Sequence, residues 1–139
     1  MNTRIALLVL ILVIFIGHIL GTIYGWYWTV WWYDIPLHFL GGAWLGFFFF
    51  YLFYEKWGIL EVGKKFIPTL LLGLGFVILV GVLWEFYEYF HDWYVDSSNL
   101  NSPDVRADTL SDFLNDLIGG TSAILVWWFY FKKLSTPSP

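Results

Sequence analysis

Between Arg4 and Asp34 the chain holds no Asp, Glu, Lys or Arg, and Ile5 to Ile16 are apolar without a break. No other feature limits the fold as strongly. A helix needs roughly 20 apolar residues to cross a ~30 Å hydrocarbon layer, and a helix that is apolar all round has no face to offer water. Segments at about 35–54, 67–91 and 108–131 repeat the pattern of 5–27. Arg4 ahead of an apolar run also fits a secretory signal. The run is longer than a signal core of ~7–15 residues and lacks a small-x-small cleavage site, so a retained helix is expected. The expected fold is all-α: a polytopic integral membrane protein, with one four-helix domain over residues 1–134 and a disordered tail over 135–139.

Composition agrees. Only 13% of the 139 residues are charged and 59% are hydrophobic, where soluble domains average about 25% charged. With no cysteine, disulfides, thiolate metal sites and cysteine nucleophiles are excluded. The basic residues are scattered, so there is no patch for nucleic acid.

Lys and Arg favour the cytoplasmic side of short loops. Arg4 precedes the first segment, Lys56, Lys64 and Lys65 separate the second and third, and Lys132 and Lys133 follow the fourth. Arg106 alone falls on the other side. The expected topology is N-in and C-in, multi-pass, in the cell (inner) membrane. Trp26, Trp28, Trp31, Trp32, Trp93 and Tyr94 would form an outer interfacial belt, and Tyr54, Trp57, Trp127 and Trp128 an inner one. Residues Val95–Ala107 would be the longest external loop.

Against this background the acids stand out. In "DTLSDFLNDLIGG", residues 108–120, helical rotation of about 100° per residue puts Asp108, Asp112 and Asp116 on one stripe with Ser111, Asn115 and Gly119. Asp108 fits a helix N-cap, but Asp112 and Asp116 lie too deep for that role. In "WEFYEYFHDWY", residues 84–94, Glu85, Glu88 and Asp92 share an arc, and Glu88 with His91 has the Glu-x-x-His spacing of carboxylate-bridged metal sites. In "YDIPLHFLGG", residues 33–42, Pro36 suits a first helical turn, Asp34 and His38 are one turn apart, and Gly41 and Gly42 allow a close helix neighbour. His18 lies near a Gly17, Gly21, Gly25 stripe that reads as plain helix packing.

All these acids fall in the outer halves of their segments. An ionised side chain at helix centre costs about 2.5–3.5 kcal/mol on insertion scales, and close like charges resist joint ionisation. Three outcomes stay open: a bound cation, protonated carboxyls, or a water-filled cleft. The bland alternative is a satisfied polar core that uses Tyr87, Ser111 and Asn115 as partners. Oxygen ligands with one or two histidines suit Zn²⁺, Mn²⁺, Fe²⁺ or Mg²⁺. The candidate ligands are Asp34, His38, Glu85, Glu88, Asp108, Asp112 and Asp116, with His91 and Asp92 behind them. No HExxH, nucleophile elbow or phosphate loop is present.

Asp34-x-x-x-His38-Phe-x-x-Gly, Glu85-x-x-Glu88 and Asp108-Thr-x-Ser-Asp112 with Gly119 beyond it resemble the YjdF-like bacterial inner-membrane proteins. The order of acids is similar, more distantly, to VanZ-like membrane proteins. The resemblance covers about residues 34–122 and implies an intramembrane polar site without implying a reaction. Three functions are expected to compete: a metal site acting on a lipid or cell-envelope compound, a cation- or proton-coupled carrier, and an accessory or scaffold protein. The lipid bilayer is a partner in each.

Overall fold

The computed structural model describes residues 2–60, 65–95 and 103–135. It is helical throughout: α1 (Thr3–Ile23), a short α2 (Trp26–Thr29), α3 (Asp34–Phe50) with a π-helical extension (Tyr51–Lys56), α4 (Phe66–Val95) and α5 (Pro103–Ser135). Asn2 caps α1, its side chain accepting from the Arg4 amide at 3.1 Å. Among the described residues three segments are long and apolar enough to cross a membrane: Thr3–Ile23, Asp34–Lys56 and Phe66–His91.

The fourth expected segment is embedded in α5, whose 33 residues give it the length. It is not among those three; the aspartates at 108, 112 and 116 dilute its apolar content at one end and Lys132 and Lys133 at the other. The polar face is turned inward. Asp112 and Asp116 are buried while Leu110, Leu114 and Ile118 are exposed.

Two expected boundaries move. The first helix ends at Ile23 and not near residue 27, because Gly25 takes a left-handed φ of 67° that reverses the chain into α2. Gly25 is therefore a helix terminator and not part of a packing stripe, while Gly17 and Gly21 receive side chains of Leu37, Tyr33 and Tyr27. At the other junction α5 starts at Pro103, a residue preorganised for a first helical position. Asp108 thus sits inside the helix and is not its N-cap, and the expected loop shortens from its far end. Residues 96–102 and the tail 136–139 lie outside the described residues, while Ser135, assigned by the sequence to the tail, ends α5.

The bundle is organised on α3, which packs along α5 and also touches α1 and α4. The α3–α5 seam is backbone against backbone. A Cβ on Gly42 would strike the Asp116 carbonyl, one on Gly119 would strike the Phe39 carbonyl, and one on Gly46 would sit 2.9 Å from the Ala123 Cβ. Where lipid tails compete with side chains, such small-residue seams let dispersion and close dipoles hold helices together. Toward the Lys56 end of α3 the filling becomes aromatic. Phe49, Phe50, Ile124 and Trp127 form the buried core, with Phe50 stacked on Trp127 at 3.9 Å between ring centroids.

Trp127 and Trp128, expected at the inner interface, are buried. Their large rings pack on Phe50, Tyr54 and Phe66, which gains more contact area than an interfacial position offers. Trp28, Trp31, Trp93, Tyr94 and Trp57 are exposed.

α1 is held at both ends. Tyr33 Oη donates to the Gly17 carbonyl at 2.8 Å, Trp44 Nε1 donates to the Leu7 carbonyl at 2.9 Å, and Thr3 Oγ1 donates to Glu55 at 2.9 Å.

Candidate functional site

His38 is the hub. One turn after Asp34 on α3, it points into the α3–α5 seam and is only 7% exposed. Its Nε2 lies 3.6 Å from Asp34 Oδ2 and 3.8 Å from Asp112 Oδ1, and its Nδ1 lies 3.6 Å from Asp116 Oδ1. Both ring nitrogens thus face carboxylates. From α4, Glu85 and Glu88 bring carboxylate oxygens that lie, with a His38 nitrogen, within 4.8 Å of one another. Asp34, His38 and Asp112 form a second group of the same tightness.

Glycines make this convergence physically accessible. The approach of α5 at Gly42 puts the Asp116 backbone against α3, and its carboxylate occupies the space above Gly81. A Cβ on Gly81 would sit 2.8 Å from Asp116 Oδ2. Gly41 and Gly42 are where the sequence suggested a close neighbour; Gly81, in an otherwise apolar run, escaped notice. Its signal is one of register: it lies one helical turn before Glu85, on the same face.

Asp34, His38, Glu85, Glu88, Asp112 and Asp116 therefore meet, from three helices. Asp108 does not join the tight groups and is exposed at the rim, as is His91, whose ring lies 6.2 Å from that of Tyr87. The Asp92 side chain lies outside the described residues.

Thr109 supplies a hydrogen bond to Glu85 and Trp84 one to Glu88, yet one oxygen of the cluster is left over. Glu85 Oε1 is buried without a hydrogen-bond partner. Asn115, a neighbour expected to satisfy the acids, spends its amide on its own helix, donating to the Ser111 carbonyl at 2.8 Å and hydroxyl at 3.3 Å. Tyr87 is exposed and ring-packed with Trp84.

Beside the cluster, a cavity of about 520 Å³ runs between α1 and α4 over the floor of α3. His18 stands at its rim, with Nδ1 2.8 Å from the Tyr27 hydroxyl. Burial, followed by the Asp34 and Glu88 carboxylates, raises the Tyr27 phenol well above its ordinary range, so it stays a neutral O–H.

Fold and site together define a helical membrane protein with a buried carboxylate–imidazole cluster drawn from three helices. Residues 2–133 match the family described as "Predicted membrane protein (DUF2238)", and the chain belongs to that family, the YjdF-like one. No curated protein and no solved structure matches it. The more distant likeness to VanZ-like proteins finds no support in these comparisons.

Proposed function

We propose that the chain is a four-span, N-in/C-in membrane protein whose carboxylate–histidine cluster binds a divalent cation near the outer face. The observation that carries this reading is His38, flanked on both ring nitrogens at 3.6–3.8 Å by Asp34 from the preceding turn of α3 and by Asp112 and Asp116 from successive turns of α5. Ligands placed about 2.1 Å from a tetrahedral ion lie roughly 3.4 Å apart, so small side-chain adjustments close the Asp34–His38–Asp112 group on an ion. The electrostatics favour it too. Two unit charges 4 Å apart interact by about 4 kcal/mol at an effective dielectric of ~20, and several ionised acids here would repel on that scale. A cation removes the repulsion and supplies the partner that Glu85 Oε1 lacks.

Zn²⁺, Mn²⁺, Fe²⁺ and Mg²⁺ fit an oxygen-rich set with one imidazole. Such an ion would lower the pKa of bound water for attack on a lipid-linked or envelope compound. The carrier reading is weaker, because beyond the cluster the bundle is filled by Phe49, Phe50, Ile124 and Trp127. The scaffold reading expects satisfied acids, and Glu85 Oε1 is not.

Purified protein should carry metal by elemental analysis and melt lower after chelation. A ligand at a hundredfold excess over Kd stabilises by about 2.7 kcal/mol, so re-addition should restore that increment, and Asp112→Asn should abolish it while the variant remains folded. A metal-free preparation whose melting ignores every ion would end this reading. For topology, reporter fusions after residue 60 should read cytoplasm and after residue 100 exterior; the reverse places the cluster on the inner side.

A further inference from the structure

The cavity between α1 and α4 is an amphiphile's shape. α1 and α4 both lean on α3 but do not pack along each other. Its apolar stretch is walled by Ile11, Leu12 and Phe15 of α1 and Val80 of α4, over Leu45. Leu12 and Phe15 on one wall, and Trp84 and Tyr87 on the other, are all exposed, so the cleft opens sideways between the two helices. For a membrane protein that opening faces acyl chains. The cavity volume falls within the ~300–1,000 Å³ of small-molecule sites.

One end is different in kind. There Tyr27, Trp84 and Tyr87 meet Asp34, Glu88 and Asp116 on the cavity wall. The rings form a chain, His18 to Tyr27 at 5.6 Å, His18 to Trp84 at 6.0 Å and Trp84 to Tyr87 at 5.2 Å between centroids. Aromatic faces beside carboxylates are the environment that attracts an ammonium group, through the ring quadrupole and through opposite charge. Among the described residues no Lys or Arg lines the cavity, and its two imidazoles are already engaged, His18 with the Tyr27 hydroxyl and His38 with Asp34, Asp112 and Asp116, so an anionic head would meet carboxylates around them. A bound divalent ion does not reverse that preference. Five carboxylates surround His38, and two positive charges leave the surroundings net negative if the acids are ionised.

We propose that this cleft binds a lipophilic ammonium, with the hydrocarbon chain between α1 and α4 and the nitrogen held by Glu88 and Asp34 among the rings of Tyr27 and Trp84. The proposal goes beyond the metal reading and does not require it: Asp34 and Glu88 line the cavity and are also candidate metal ligands, so an ammonium and an ion would compete for them, while Asp112 and Glu85 stay outside the cavity. Two sources share this chemistry, a free ammonium amphiphile and the ammonium head of a bilayer lipid.

The test uses the full chain in dodecyl maltoside, with hexadecyltrimethylammonium as probe and hexadecyl sulfate and hexadecanol as same-chain controls. Native mass spectrometry counts what is retained, with and without chelator. Selective retention of the ammonium probe, undiminished by chelator, is expected. Glu88→Gln and Trp84→Ala should each weaken it about tenfold, the loss of one good ion or cation–π contact. Val80→Trp, which fills the cleft about two helical turns from Glu88, should block it while circular dichroism stays helical. Displacement of the probe by phosphatidylethanolamine would identify the bilayer lipid as the source; resistance would identify a free amphiphile. Equal retention of the three probes, indifference to Glu88→Gln and Val80→Trp, or loss of the probe on chelation would overturn the proposal. A metal-free protein that still selects the ammonium would sink the metal reading alone.

Discussion

The two ends of the α3–α5 seam are built on opposite principles. Toward Asp34 the helices touch through Gly42, Gly46 and Gly119, and the space thus freed is spent on His38, Asp112 and Asp116. Toward Lys56 the seam is filled by Phe49, Phe50, Ile124 and Trp127. A filled aromatic end gains from every contact it makes. The polar end loses on every desolvated charge and is retained only if something offsets that loss. One end therefore supplies stability, and the other is where function is to be sought.

The sharpest way to break this division is at its hinge. Gly119→Leu would drive a side chain into the Phe39 carbonyl and the Ala43 amide, neither of which is the movable end of a flexible chain. Overpacking typically costs 1–3 kcal/mol, occasionally more, and a clash with backbone belongs at the upper limit or beyond. Loss of monodisperse protein on size-exclusion chromatography is the expected readout, with both ends failing together. A variant that purifies and melts like the parent would show the seam to be looser than the glycines imply.

Trp127→Ala should be next in size. Truncating a buried Trp costs about 3–5 kcal/mol, and here it removes the stack on Phe50 and the edge contact with Tyr54. The comparison is sharpened by adding metal. The melting temperature should fall by the same amount with and without the ion, because Trp127 lies about three helical turns along α5 from Asp116. A metal-dependent fall would mean that the two ends are coupled.

Much of this was legible beforehand, and the failures share a cause. The aspartate stripe, the Asp34–His38 turn and the close approach at Gly41 and Gly42 each depend on spacing within one helix, which rotation alone determines. What escaped depends on pairs of helices. Gly81 gains its meaning from the Asp116 carboxylate above it, Trp127 is buried because Phe50 and Tyr54 face it, and the cleft exists because α1 and α4 both lean on α3 and meet each other at His18 and Trp84 without packing along their lengths. The start of α5 at Pro103 was misread for a local reason: a capping explanation of Asp108 was sufficient, and it hid the extra turn.

Asp108 gives the smallest expected effect and the finest test. It shares the stripe of Asp112 and Asp116, and by sequence the three cannot be ranked. In the structure Asp112 and Asp116 are 3% and 5% exposed and reach His38, while Asp108 is exposed and outside the tight ligand groups. Substituting an exposed side chain usually changes stability by about 0.5 kcal/mol or less, well below the cost of a buried one. Asp108→Asn should therefore leave both the melting temperature and its metal-dependent increment nearly unchanged, whereas Asp112→Asn removes the increment. The charge of Asp108 still reaches Asp34, Glu85 and Asp112; acting from an exposed position, it is screened by salt over a Debye length of ~8 Å, so its residual effect should shrink as ionic strength rises. Equal loss of the increment in Asp108→Asn and Asp112→Asn, persisting in high salt, would mean that the ion sits a turn nearer the surface than His38, and the hub assigned to His38 would have to be given up.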